Sequence, residues 1–491
     1  MSETEYTRRL SKSRFVAGCQ CLGYLWWKVH EHDAPELIPD EALQYRFDQG
    51  HQVGARARER FPGGVLIDLP YNAVEARVAE TAAALAAGAP AVFEASFLAD
   101  DVFVMVDVLE RVNGGFNMIE VKATKSLKDE HIPDATVQAH VLKRCGIDVA
   151  RSEIMHLNPE YRHPEGDLFQ RTDVTAEVAA YLPQIADEIE EQLRVIHGPR
   201  PELGFGPRCH EPRECPFLGR CWPDDPNHIS ALYRVGPKKT WEYMQAGINT
   251  IPDLPPDTKL SDVQKRQIRA QETGEMIVEP GLAEALEPFS GRLGFLDFET
   301  VGPAIPVWPG LAPWGSVPAQ FSYHEESPDG QITHKEKLAE GPDDPRPALA
   351  RKLVDACAGA DKIAMYTTYE VGCVRKLREA VPELAGPLQE IEEKLIDLKP
   401  VVLDHVYHPD FGGSFSIKDI LTPLVPELSY DDMPINDGNV ASAEIARLLL
   451  EEDIIPDDER EQLRKDLLEY CKQDTWAMVE LVKRLRKLAA T

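Results

Sequence analysis

The sequence predicts an α/β protein of several domains, and three observations carry that expectation. The chain runs to 491 residues, too long for one ordinary hydrophobic core and long enough for two or three. Short apolar runs of strand type recur, in Leu293-Gly294-Phe295-Leu296 and in the stretches 102–112 and 116–122. Helical patterns lie between and after them, the last from about 461 to 488. Division at composition changes gives a first unit over 1–222, a smaller helical one over 223–288 and a third over 289–491, with strands first and helices later.

No stretch reaches the roughly 18 apolar residues needed to cross a bilayer, so no membrane partner is expected. The segment from Met1 to Lys12 is polar and carries no apolar signal region, which leads us to expect a cytoplasmic location. The formal net charge of −30 argues against nucleic-acid binding through a broad positive surface. A nucleic-acid enzyme with this balance needs local basic grooves and divalent cations; most of the excess reads as a solubility surface. Nine cysteines are an odd number, and without a signal region they do not suggest a disulfide framework.

The first unit begins with helical patterns, and 79–91 reads as a plain alanine-rich helix ending at Gly88. Two strand patterns follow, 102–112 and 116–122, with Asn113-Gly114 between them as a strong two-residue hairpin signal. Centred there, the turn pairs 112 with 115 and sets Asp107 opposite Glu120, with Lys122 on the same face; centred on Gly114-Gly115, it sets Asp107 opposite Lys122. Like charges directly opposite destabilise a ladder unless a cation joins them. The middle segment reverses the global charge, with seven Lys or Arg against four Asp or Glu over 229–270.

In the third unit Asp297 and Glu299 follow the apolar run 293–296. Residues i and i+2 of a strand face the same way, so the two carboxylates project together. Ile363 to Glu370 reads as a strand leading into a helix over 371–380. Tyr470 and Asp474 are four apart in a helical pattern and share one face. Trp308 and Trp314 stand in a proline-rich loop, where base stacking and packing within the loop are equally good accounts. Ser416 and Asp419 have the spacing of a helix capping box, with Lys418 beside them.

A strand-borne acidic pair followed by a helical Tyr-x-x-x-Asp resembles the tyrosine subclass of DEDD exonucleases, of the ribonuclease-H-like fold. Tyr366-Thr367-Thr368-Tyr369-Glu370 resembles that family's middle motif, with Glu in place of Asp and no Asn. The resemblance implies a mixed sheet and a two-metal site for Mg2+ or Mn2+, held by Asp297, Glu299, Glu370 and Asp474, with Tyr470 positioning the attacking water. Asp397 ranks below Glu370 as a ligand.

Asp107 on one strand and Glu120-x-Lys122 on the next resemble the PD-(D/E)XK nuclease core, the restriction-endonuclease-like fold. That implies metal binding by Asp107 and Glu120, with Glu94 as a further acid and Lys122 orienting water or stabilising developing charge. Cys21 followed by Cys209, Cys215 and Cys221 is similar to the iron–sulfur RecB-like nucleases, which implies a [4Fe–4S] cluster, with structural Zn2+ as the lesser alternative. Cys19 is the other choice for the first ligand; the Gln-Cys-Leu-Gly-Tyr-Leu-Trp-Trp context favours Cys21. Two motifs depart from that family. Gly54 stands where a His is usual, with His51 shifted, and Leu142 replaces the Tyr of the motif that Gln138 opens. The middle segment is similar to a helix–hairpin–helix element.

Taken whole, the chain resembles a bacterial type in which a RecB-like nuclease is fused to an uncharacterised C-terminal domain. The function this implies is a metal-dependent nuclease acting on nucleic acid, DNA in the first place, trimming from the 3′ end, in repair, recombination or defence. The alternatives are a ribonuclease acting on RNA ends and a non-catalytic nucleic-acid-binding scaffold with a degenerate N-terminal nuclease.

Overall fold

The apolar runs between 91 and 173 pair into one sheet and those between 293 and 397 into another, in a computed structural model that describes residues 9–223, 225–451 and 454–490. The expectation that 1–12 is polar and carries no signal region falls partly on residues 1–8, outside the described residues. The protein is mixed α/β and divides into two compact units. The first runs to Trp222 and takes in Pro303–Gly315; the second holds Pro223–Gly302 and the chain from Ser316 onward. The middle segment therefore belongs to the second unit, and the loop bearing Trp308 and Trp314 to the first.

The first unit opens with α1 (Lys12–Gln20), α2 (Leu22–His30), α3 (Glu41–Arg58) and α4 (Val74–Ala86). Strands β1 (Ala91–Ala99), β2 (Val102–Val112) and β3 (Gly115–Lys122) run antiparallel in order. Helix α5 (His131–Arg144) crosses to β4 (Val149–Leu157), parallel to β3; β5 (Phe169–Asp173) and α6 (Thr175–His197) complete the unit. Both sheet faces are covered. One packs Val92, Val104, Leu109, Ala135, Leu142 and Ile189. The other packs Phe93, Val108, Ile119 and Met155 against Val53 and Ala57 of α3. The loop 303–315 joins that second core through Ala304; the Ala304 N–H donates to Gln49 Oε1 at 2.7 Å, and the Trp314 indole N–H to the Ala123 carbonyl at 2.6 Å. Trp308 is buried, so packing accounts for it.

The hairpin takes the first of its two expected registers. Val112 pairs with Gly115 and Val108 with Ile119, which sets 107 opposite 120. Gly114 has φ +90°, the left-handed backbone the turn demands and glycine accepts without a Cβ clash.

The second unit starts with α7 (Gly236–Gln245) and α8 (Asp262–Thr273), whose apolar faces close on Ile229, Leu232 and Ile251. Strand β6 (Leu293–Val301) is central, with β7 (Val317–Glu326) and β8 (Ile332–Leu338) antiparallel on one side. Helix α9 (Arg346–Cys357) leads to β9 (Lys362–Met365), parallel to β6. Then come α10 (Tyr369–Ala380), α11 (Ala385–Lys394) and the parallel edge strand β10 (Leu395–Asp397). Helices α12 (Ile417–Leu424), α13 (Gly438–Leu450) and the long α14 (Asp457–Ala489) follow. Leu296 and Phe298 point into the core formed with α9, α10 and α11. By strand alternation Asp297 and Glu299 point to the opposite face, where α14 lies. Gly294 leaves room for the Tyr323 ring; a Cβ there would stand 2.6 Å from it. The expected capping box at Ser416 does not form. Ser416 is the N-cap of α12 but makes no side-chain cap bond, and the Asp419 carboxylate instead accepts from Ser414 Oγ at 2.5 Å.

Candidate metal centre

Helix α14 is pinned to β7 on both sides of its functional turn. The Gln320 amide donates to the Leu467 carbonyl at 2.7 Å, and Ser322 and His324 each meet Thr475 Oγ1 at 2.8 Å. Those anchors aim Tyr470, Cys471 and Asp474 at Asp297 and Glu299. Oxygens of Asp297, Glu299 and Asp474 all lie within 4.8 Å of one another, the one such set of three among the described residues. Glu370 joins the same cavity of about 430 Å³ from the first turn of α10. Its Oε2 is buried and has no hydrogen-bond partner. Buried acceptors are rarely left unpaired, and a cation would satisfy this one.

Asp397 has another task. Its Oδ1 accepts from the Thr367 N–H at 3.0 Å and the Lys399 N–H at 2.9 Å, holding the loop that ends in Glu370. Thr367 has φ +102°, a strained conformation for a β-branched residue that this carboxylate helps to keep.

Two neighbours were not assigned these contacts from the sequence. The Tyr430 hydroxyl donates to Asp474 Oδ1 at 2.7 Å. The Lys418 ammonium donates to the Tyr470 hydroxyl at 3.1 Å and to the Asn436 carbonyl at 2.5 Å, and lies over both tyrosine rings. Lys418 is the only Lys or Arg lining the cavity among the described residues. The Cys471 thiol, otherwise an ordinary buried one, approaches Asp297 Oδ2 at 3.5 Å.

The carboxylates crowd each other's charge. Burial first, then the charges of Asp474 and its neighbours, push Asp297 and Glu299 well above the usual carboxylate range. Burial raises Glu370 to about 8, and raises Asp474 to about 6 against the Tyr430 hydrogen bond and the Lys418 charge. Groups whose folded pKa is raised stabilise the fold fully below their unfolded pKa, and lose that contribution as pH rises through the folded value. The cation-free second unit is therefore expected to lose melting temperature between about pH 5 and pH 8.5 as these protons leave. Excess Mn2+ should restore it, and by more at the alkaline end. Thermal unfolding followed in EDTA and in Mn2+ across that range tests this; a metal-induced shift that does not grow with pH contradicts it.

The acids of the first unit are arranged differently. The Val121 N–H donates to Asp107 Oδ2 at 2.7 Å, and Gln138 Nε2 to Glu120 Oε2 at 2.9 Å. The Lys12 and Lys122 ammonium groups each reach Glu120 Oε1 at 2.7 Å. Lys12 also lies 3.8 Å from Asp107 Oδ1, and Lys122 2.5 Å from Asp134 Oδ2. Glu94 lines the same cavity with φ +55° and stands 3.9 Å from Arg58. Burial and the Glu120 charge raise Asp107 to about 7. Burial opposes ionisation of Glu120, but Lys12 and Lys122 outweigh it and hold its carboxyl below the usual range. Lys12 and Asp134 were not picked out from the sequence; no local spacing marks either of them.

Cys21, Cys209, Cys215 and Cys221 line one cavity of about 530 Å³, beside Trp27 and Phe217. Gln20 ties the two ends of this region, donating to the carbonyls of Arg208 at 2.9 Å and Arg213 at 2.7 Å. Burial and the neighbouring thiols push Cys215 up to about 11. Cys19 is not among the residues lining this cavity and contacts Glu188 and Gln192 instead.

No helix among the described residues is long and apolar enough to cross a membrane. No curated protein matches the chain. Residues 294–416 are similar to a family described as "Domain of unknown function (DUF2779)", a span that includes Asp297, Glu299 and Glu370 and ends before Tyr470 and Asp474.

Proposed function

We propose that the protein is a divalent-cation-dependent nuclease, with its hydrolytic site in the second unit, acting on nucleic acid and on DNA in the first place. The observation that carries this reading is the convergence of Asp297, Glu299 and Asp474 from a central strand and a distant helix, with an unpartnered Glu370 oxygen in the same cavity. The mixed sheet, antiparallel on one side of β6 and parallel on the other, supports the ribonuclease-H-like expectation. The donors are all hard oxygens, which suits Mg2+ or Mn2+.

Bound divalent cations supply an activated water and neutralise charge on the phosphodiester. Asp297, Glu299, Asp474 and Glu370 would hold them. Tyr430 donates to Asp474 Oδ1, and the Tyr470 phenol also hydrogen-bonds the Asp474 carboxylate. Burial and the nearby carboxylates raise the Tyr470 phenol above its ordinary value, so it stays protonated. Lys418 occupies its oxygen as a donor, which directs the phenol proton away from Lys418. Tyr470 is thereby set to orient the attacking water. Tyr470→Phe is expected to lower kcat by about 10–100-fold with a smaller change in KM. Single-turnover kinetics reads the two apart.

In the first unit the four cysteines suit a [4Fe–4S] cluster, with structural Zn2+ the alternative. The test of the whole reading is digestion of end-labelled DNA and RNA oligonucleotides of matched sequence with Mg2+, Mn2+ or EDTA. Cation-dependent shortening of DNA is the expected result; shortening of RNA alone gives the ribonuclease, and none under any condition removes the activity.

A further inference from the structure

We infer that the cavity between α3 and strands β2 and β3 grips a nucleic-acid strand without cutting it, because a lysine ammonium stands where the nuclease cation would sit. This rests on the nucleic-acid reading above and adds to it a division of labour between the units.

Two of the three carboxylates that the PD-(D/E)XK resemblance assigns to a metal, Asp107 and Glu120, do not fit one as they stand, and the third, Glu94, faces Arg58 at 3.9 Å. Glu120 Oε1 is shared by two ammonium groups and Oε2 takes the Gln138 amide. Asp107 Oδ2 takes the Val121 N–H, and its Oδ1 faces Lys12. Each oxygen of the pair thus has a nitrogen donor or cation facing it. A divalent ion would have to expel Lys12, which compensates the like-charge pair that the hairpin register creates. Gly54 offers no imidazole at the position where this family usually has one.

The rest of the cavity suits holding. Its volume is about 690 Å³, and one wall is the α3 face bearing Arg46, Phe47, Gly50, Gly54 and Arg58. A Cβ at Gly50 or Gly54 would meet nothing within 4 Å, so the helix face is open to an approaching chain. Phe47 is 49% exposed, a large apolar ring left in solvent at the cavity mouth. Arg46 adjoins Phe47 in sequence and Arg58 lies about three turns further along α3; Arg46 is placed for a phosphate while Phe47 stacks on a base. The lining balances Arg46, Arg58 and Lys122 against Glu94, Asp107 and Glu120; Arg58 faces Glu94 and Lys122 faces Glu120, so Arg46 is the lining cation with no carboxylate against it among the described residues.

The experiment uses the full chain carrying Asp297→Asn, which silences the second unit. Fluorescence anisotropy with a labelled single-stranded oligonucleotide should give the same affinity, within about twofold, in EDTA and in Mg2+. Adding Arg46→Ala and Phe47→Ala together should weaken binding by about tenfold or more, while Phe47→Tyr keeps it. Both side chains are exposed, so the fold should tolerate the changes. Incubation with Mn2+ should leave the oligonucleotide intact. Cleavage by the Asp297→Asn chain that disappears on adding Glu120→Gln would overturn the inference and leave the nuclease reading standing. Binding that is absent, or indifferent to Arg46 and Phe47, would overturn it too. If the unsubstituted chain neither binds nor digests any oligonucleotide, the functional reading itself falls.

Discussion

Asp297→Asn is expected to abolish cation-dependent digestion, with a loss of about 10³-fold or more in kcat. Asparagine keeps the shape of aspartate in a central strand whose neighbours on both sides are paired, so the backbone has no reason to move. What changes is charge. Asp297 stands among Glu299, Asp474 and Glu370, each of which raises its pKa. An amide at 297 removes a ligand anion and relieves that repulsion. The cation-free protein should therefore melt no lower than the parent, and above it at alkaline pH, while its stabilisation by Mn2+ falls sharply. Loss of activity together with retained or raised melting temperature separates a site effect from a folding defect. An Asp297→Asn chain that is folded and digests at the parental rate removes the proposed site.

The strand-borne part of this site was legible because its signal is local. The apolar run 293–296 marks a buried strand, and a period of two fixes which face Asp297 and Glu299 share. Tyr470 and Asp474 were legible for the same kind of reason at a helical period. The Asp107–Glu120 opposition was one of two registers that the turn residues allowed, and the folded hairpin takes the one centred on Asn113-Gly114. What escaped was long-range. Lys12 reaches Glu120 across 108 residues, and Tyr430 reaches Asp474 across 44. Neither lies in a periodic pattern that points at its partner, so only the folded chain reveals that a lysine balances the first unit's acids. The capping box at Ser416 failed for the opposite reason. The spacing was right, but a closer partner, Ser414, takes the Asp419 carboxylate. The loop 303–315 was read with the strands beside it in sequence, whereas its apolar residues find a core in the first unit.

Cys215→Ser is expected to abolish binding of the proposed cluster and to destabilise the first unit, where Cys19→Ser does neither. Cys21 sits at the junction of α1 and α2, whereas Cys209, Cys215 and Cys221 belong to the loop after α6. A group held by all four closes a loop of about 190 residues, which in the chain-entropy account of cross-links stabilises by about 5 kcal/mol. Metal–thiolate bonding adds to this, because the sulfurs must be deprotonated and gathered before they can bind. A serine oxygen is a poor substitute for the thiolate, so one substitution in the set should release the group. Cys19 tests the assignment, since its sulfur lies against Glu188 and Gln192 and does not line the cavity of the other four. Purified under nitrogen, the parent and Cys19→Ser should be brown, absorb broadly in the visible and carry iron and sulfide. Cys215→Ser should be colourless and should melt many degrees lower in its first transition. Stoichiometric zinc in a colourless parent would replace the cluster with a structural ion and keep the staple. A Cys215→Ser chain with the parent's metal content and melting temperature would show that these thiols hold nothing.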